Sequence, residues 1–227
     1  MWSPTRYLDA LMLATSVAPA ELVRVLTSFG IGAANRRRLQ RISVIGVPVA
    51  YGAICVLVAL CLALAGPRGA ALPVAPSRGA WLALALGVGV ALFYVELLLA
   101  LIPARMRRQK TMRVRVNLGT ERLSRSFVAS VLAVAFIEEV LYRGYWLRII
   151  HTDLGWPNSV FVLLSAAAYA LGHVFFGMTA VAQKLATGAV LGLLAVMSGG
   201  LAAPLVAHLS ENVVVLFRAH RSRLTQA

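Results

Sequence analysis

Glu138, Glu139 and Arg143 stand in "FIEEVLYRGYW" (residues 136–146), two adjacent carboxylates and a guanidinium inside a run otherwise fit for lipid. Each ionisable group at the middle of a membrane helix costs about 2.5–3.5 kcal/mol on insertion scales, so three together need a reason. Glu139 and Arg143 are four residues apart, share a helix face and are expected to pair, which lowers the cost of both. Glu138 is turned about 100° away on the same helix and has no partner along the chain. A carboxylate without a cation in a low-dielectric site holds a proton more readily than one in water, the behaviour wanted of a general base.

Two later stretches carry groups that can join it. "YALGHVFF" sets Tyr169 and His173 four residues apart, and "HLSEN" does the same for His208 and Asn212. On a helix, His208 and Asn212 share a face and can aim at one point. Polar groups in three apolar segments are individually expensive, and a common wet cavity enclosed by protein satisfies them together. A base, two imidazoles and a carboxamide suit activation of water and stabilisation of an oxyanion. Ser210 points to another face than His208 and Asn212, and no Ser or Cys stands near a His as in a nucleophilic hydrolase. The chemistry indicated is peptide hydrolysis without a covalent intermediate.

The elements that must position these groups follow from hydropathy. The 227 residues are 60% hydrophobic and 13% charged, with a mean hydropathy of +0.81, against about 25% charged in soluble domains. Several runs reach the roughly 20 apolar residues that cross a hydrocarbon core. The expected fold is all-α, a polytopic membrane bundle of about six transmembrane helices at 42–65, 80–102, 126–148, 158–176, 180–198 and 201–217. Residues 1–41 read as an interfacial, cytoplasmic arm with no cleavable signal peptide. Residues 42–125 hold two spans and a basic cytoplasmic loop, 126–217 a four-helix catalytic core, and 218–227 a basic cytoplasmic tail. "HTDLGWPN" (151–158) is expected to turn between spans.

The net charge of +14 sits mostly in loops beside apolar runs, as the positive-inside rule requires. It is therefore assigned to lipid headgroups, and nucleic acid is excluded as a partner. Twenty of the 22 basic residues are Arg, a bias of GC-rich bacterial genomes that points to a bacterial inner membrane. Cys55 and Cys61 lie on different faces of the first span and read as small apolar residues. Lys184 is expected to reach the interface, Glu96 either to reach it or to contact the core site, Gly188 and Gly192 to permit close helix packing, and Glu211 to face another helix. His151 and His220 fall by loops and read as solvated. Counting from the helix ends leaves His173 and His208 roughly 10 Å apart along the membrane normal.

The order Glu138-Glu139-x-x-x-Arg143, Tyr169-x-x-x-His173, His208-x-x-x-Asn212 resembles the CPBP intramembrane proteases, the CAAX-processing and bacteriocin-processing family. "KLATGAVLGLLAVMSGGLAAPLVAHLSEN" is also similar to that family, and the resemblance covers 126–217. It implies Glu138 as the water-activating glutamate, His173 assisting it, and His208 with Asn212 holding the oxyanion. Glu139, Arg143 and Tyr169 then support the site, Tyr169 standing where the family usually has Phe. The resemblance further implies a metal-free mechanism without a cofactor and a membrane-anchored protein or peptide substrate. For a bacterium, a bacteriocin leader, a regulatory peptide or a C-terminal anchor or sorting tail fits better than a prenylated CAAX motif. Two rival readings share the residues: a non-enzymatic immunity or scaffold protein of the same fold, and a proton-coupled transporter.

Overall fold

The computed structural model describes residues 4–17, 49, 51–60, 79–106 and 124–224, and among them no strand occurs. The elements are α1 (Pro4–Thr15), α2 (Tyr51–Leu60), α3 (Gly79–Met106), α4 (Arg125–Glu139), α5 (Asn158–Leu171), α6 (Met178–Ser198) and α7 (Ala202–Leu224). The basic stretches at 35–41 and 107–123, the connector at 66–78, Cys61 and most of the arm lie outside the described residues.

Gly79–Pro103 and Met178–Ser198 are long and apolar enough to cross a membrane, with mean hydropathies of 2.4 and 1.7. Large apolar side chains face outward on several helices, among them Leu98 on α3, Leu163 on α5, Met197 on α6 and Phe217 on α7. An exterior of this kind suits acyl chains and marks a membrane protein.

α4 begins where Ser124 caps it, its Oγ accepting from the Phe127 amide at 3.2 Å. It does not stop at Glu139. The helix continues with wider turns as π segments at Val140–Tyr145 and Arg148–Asp153. Each π turn admits one extra residue and re-aims the side chains around it, a distortion that recurs at functional sites. The reversal expected at 151–158 accordingly comes later, with His151 and Asp153 still helical and Gly155 making the turn at φ 71°. Gly177 (φ 93°) and Gly199 (φ 75°) form the next two turns with backbone angles costly for other residues.

Two apolar clusters hold the bundle. One joins α1, α2, the α4 helix with its π turns, and α5 through Met12, Tyr51, Val58, Tyr142, Ile149 and Phe161. The other joins α3, α6 and α7 through Ala85, Leu92, Leu191, Leu194, Ala203 and Ala207. Tyr169 belongs to the first, and Ala207, beside His208, to the second. The ionisable groups gather where the clusters meet.

Candidate active site

Glu139 is the hub of that junction. Its Oε1 accepts from Arg143 Nη1 at 3.1 Å, the pair expected from their spacing, and from His208 Nδ1 at 2.8 Å. All three side chains are buried. Arg143 also donates from Nη2 to the Gly188 carbonyl at 3.0 Å, and its guanidinium stacks over the Tyr169 ring at 4.9 Å. The arginine thus ties α4 to α5 and α6, while Glu139 ties it to α7. A buried pair needs this many partners to offset its desolvation.

The ring nitrogens of His208 are thereby distinguished. Nδ1 faces a carboxylate that only accepts, so it carries the hydrogen, and Nε2 carries a second one only when the ring is an imidazolium. Nε2 lies 3.3 Å from the Tyr169 hydroxyl and 4.0 Å from Glu138 Oε2. Glu138 is 4% exposed and, among the described residues, has no ion pair with an arginine; its neighbours include His208 and the Tyr51 hydroxyl. The two adjacent glutamates therefore differ as their helix angles require. One is locked by a cation, while the other stands beside an imidazole with its charge less committed.

His173 is not inside a helix, as its sequence position leads one to expect. α5 ends at Leu171, and His173 leaves helical geometry with φ −113° and ψ 9°. Its Nδ1 donates to the Tyr169 carbonyl at 2.9 Å, which leaves Nε2 of the neutral ring as an acceptor. The separation expected between the two histidines is filled by Tyr169. That ring lies edge-on to His173 at 5.0 Å and to His208 at 5.8 Å between centroids. Asn212 is half-buried one turn beyond His208, and among the described residues it makes no side-chain hydrogen bond to the cluster.

A second charged cluster adjoins the first. Lys184 does not reach for the interface; its Nζ stands 2.7 Å from Glu96 Oε1 and 3.2 Å from Glu211 Oε1. Thr187 Oγ1 donates to the same Glu96 oxygen at 2.7 Å. Glu96 is likewise turned into the bundle, joining α3 to α6, and Glu211 closes the network from α7. Hydropathy counts cannot find such a cluster, because each member is alone in its own segment. Ser210 faces away, within 3.5 Å of the Leu86 carbonyl, and His151 and His220 are exposed, all as expected. Among the described residues, no three His, Cys, Asp or Glu side chains are grouped to hold a metal ion.

The described residues thus form a helical bundle with an apolar exterior around a buried carboxylate–imidazole–guanidinium cluster. Residues 121–214, somewhat under half of the chain, match the model of a family described as type II CAAX prenyl endopeptidase Rce1-like. This match supports the CPBP, or CAAX-protease, family that the motifs resemble, a protease family acting on membrane-anchored proteins. It spans Glu138, Glu139, Arg143, Tyr169, His173, His208 and Asn212 and leaves out Tyr51 and Glu96. No match was found among curated proteins or among solved structures.

Proposed function

We propose that this chain is a multi-pass intramembrane endopeptidase that hydrolyses a peptide bond of a membrane-anchored protein with water activated by Glu138. Glu138 takes a proton from water as the oxygen adds to the carbonyl carbon. The oxyanion so formed accepts hydrogen bonds from the His208 imidazolium and the Asn212 amide. When the C–N bond breaks, Glu138 returns the proton to the departing amine, with His173 Nε2 assisting the transfers. Glu139, Arg143 and Tyr169 hold His208 in register. One observation carries this reading: Glu138 Oε2 and His208 Nε2 come from different helices and lie 4.0 Å apart in a buried junction. The opposite edge of the same imidazole is anchored to Glu139 at 2.8 Å.

The Arg-rich composition supports a bacterial inner membrane, and the apolar segments support six crossings with both termini in the cytoplasm. The bond cut is then near the end of the substrate's own membrane segment, freeing it from a C-terminal anchor or sorting tail. The test compares membrane-protein termini in cells carrying the native chain and the Glu138→Gln variant at equal abundance. A set of termini seen only with the native chain is expected; identical sets overturn the proposal.

A further inference from the structure

Tyr51 opens α2 and lies outside the family-matched segment, yet it is among the most deeply buried side chains, at 2% exposure. Its hydroxyl meets two groups. One is the carboxyl of Glu138, and the other is the hydroxyl of Tyr142. Tyr142 in turn donates its own hydrogen to the Val17 carbonyl at 3.0 Å. The Tyr51 oxygen is also pressed against the turn that carries His173, since a methyl group built on Gly172 would stand 3.0 Å from it. A phenol has one hydrogen to donate and lone pairs to accept with. With Tyr142 committed to Val17, the Tyr51 hydrogen has two acceptors to choose between, the Glu138 carboxylate and the Tyr142 oxygen.

We infer that Tyr51 is a positioning residue whose single hydroxyl hydrogen serves Glu138 in both of its protonation states. It donates to the carboxylate before water is activated. It turns to Tyr142 once Glu138 has taken the proton, so that the new carboxylic O–H can donate to the Tyr51 oxygen. No proton passes through Tyr51 and no covalent bond changes; one O–H rotates. A buried base that must hold a proton during a reaction would otherwise leave a donor or an acceptor unpaired in one state, which is costly away from water. This inference deepens the proposed role of Glu138 and gives α2, and through Tyr142 the segment after α1, a part in the site.

The test reads Glu138 directly and needs no peptide substrate. Dicyclohexylcarbodiimide modifies protonated carboxyls buried in apolar surroundings, and its adduct on Glu138 is followed by peptide mass spectrometry of the detergent-solubilised full chain at pH 7. Glu138 is also faced by His208 from α7, by Lys184 from α6 and by Glu139 and Tyr142 on its own helix. Tyr51→Phe leaves all of these in place. It removes a donor from the carboxylate, so labelling of Glu138 is expected to rise several-fold. Tyr142→Phe keeps that donor and removes the acceptor used by the protonated state, so labelling is expected to fall several-fold. Glu211, held by Lys184, serves as the internal control. Opposite shifts support the inference, while unchanged rates or shifts of one sign overturn it. If thermal melts show that Tyr51→Phe does not fold, Tyr142→Phe decides alone, slower labelling in favour and unchanged or faster labelling against. Failure here with Glu138-dependent termini intact removes Tyr51 and leaves the protease reading standing.

Discussion

Arg143 is fully buried, with Nη1 on Glu139, Nη2 on the Gly188 carbonyl and its plane over Tyr169. A lysine has no planar fork to meet two acceptors and a ring at once. Arg143→Lys is therefore expected to destabilise the fold, and Arg143→Met to do so more, by about 3–5 kcal/mol, because it strands Glu139 as a buried charge. Reversible unfolding in mixed detergent micelles measures both. The two glutamates separate in the same assay. Glu138→Gln keeps the shape of a side chain that, among the described residues, has no arginine partner. It should leave stability nearly unchanged while Glu138-dependent processing falls at least ~100-fold, the usual scale for a lost general base. Glu139→Gln should lose both, since it weakens the tie to Arg143 and lets His208 turn. The Glu139–Arg143 pair was legible in the sequence because a spacing of four is a local property. The bond from Glu139 to His208, 69 residues away, was not.

At the scale of elements, α3 approaches α7 so closely at Gly89 that a Cβ there would overlap the Ala207 carbonyl oxygen, next to His208. Gly87, two residues earlier on the same helix, has nothing within 4 Å of a built Cβ. The two make a matched pair. Gly89→Ala is expected to force the helices apart, at about 1–3 kcal/mol, and to reduce processing by displacing His208. Gly87→Ala should be neutral or stabilising by up to about 1 kcal/mol. Equal effects at both positions would show that α3 does not set the place of His208. Gly188, read from the sequence as a packing residue, is the corresponding contact on α6. A Cβ there would stand 2.9 Å from Ala166 Cα and 3.1 Å from the Tyr169 ring. Its carbonyl also serves Arg143, a role that no small-residue pattern announces. The π turns after Glu139 were equally hidden, since apolar periodicity reports that a helix exists and not how tightly each turn is wound.

At the scale of the whole molecule, α1 docks on the π-turned end of the α4 helix. Trp146 Nε1 donates to Ser16 Oγ at 2.9 Å, and Tyr142 holds the Val17 carbonyl. α1, with 12 residues, is too short to span a membrane. The same contact buries Asp9 near Asp153, which is itself paired with Arg148 at 3.2 Å. Burial, and then repulsion from Asp153, raise Asp9 above the usual carboxyl range, with Arg148 offsetting part of this. Because the raised value belongs to the folded state, the stabilising share of Asp9 is complete below the ordinary carboxyl value of about 3.9 and is lost as pH rises through the folded value. Asp9→Asn should therefore raise the melting temperature at neutral pH, and the gain should vanish as pH falls below about 4. Melting curves of both proteins across pH 3–8 check the sign. A gain that persists unchanged at the acid end would show that packing and not charge is responsible.

What this sequence determined by itself is the solvent the chain is built for and the ionisable groups set inside its apolar runs. A run of apolar residues and a charge inside it are both readable without knowing what folds against what. Which of the two glutamates pairs with Arg143 was legible as well, since four residues make a helix turn. Only the tertiary structure decided who meets whom. Tyr169 fills the space between the histidines, His173 lies past the end of its helix, and Lys184 gathers Glu96 and Glu211 instead of reaching for the interface. Tyr51 comes from outside the matched segment to stand at Glu138. These contacts join residues from different helices, and only the packing of those helices sets their distances.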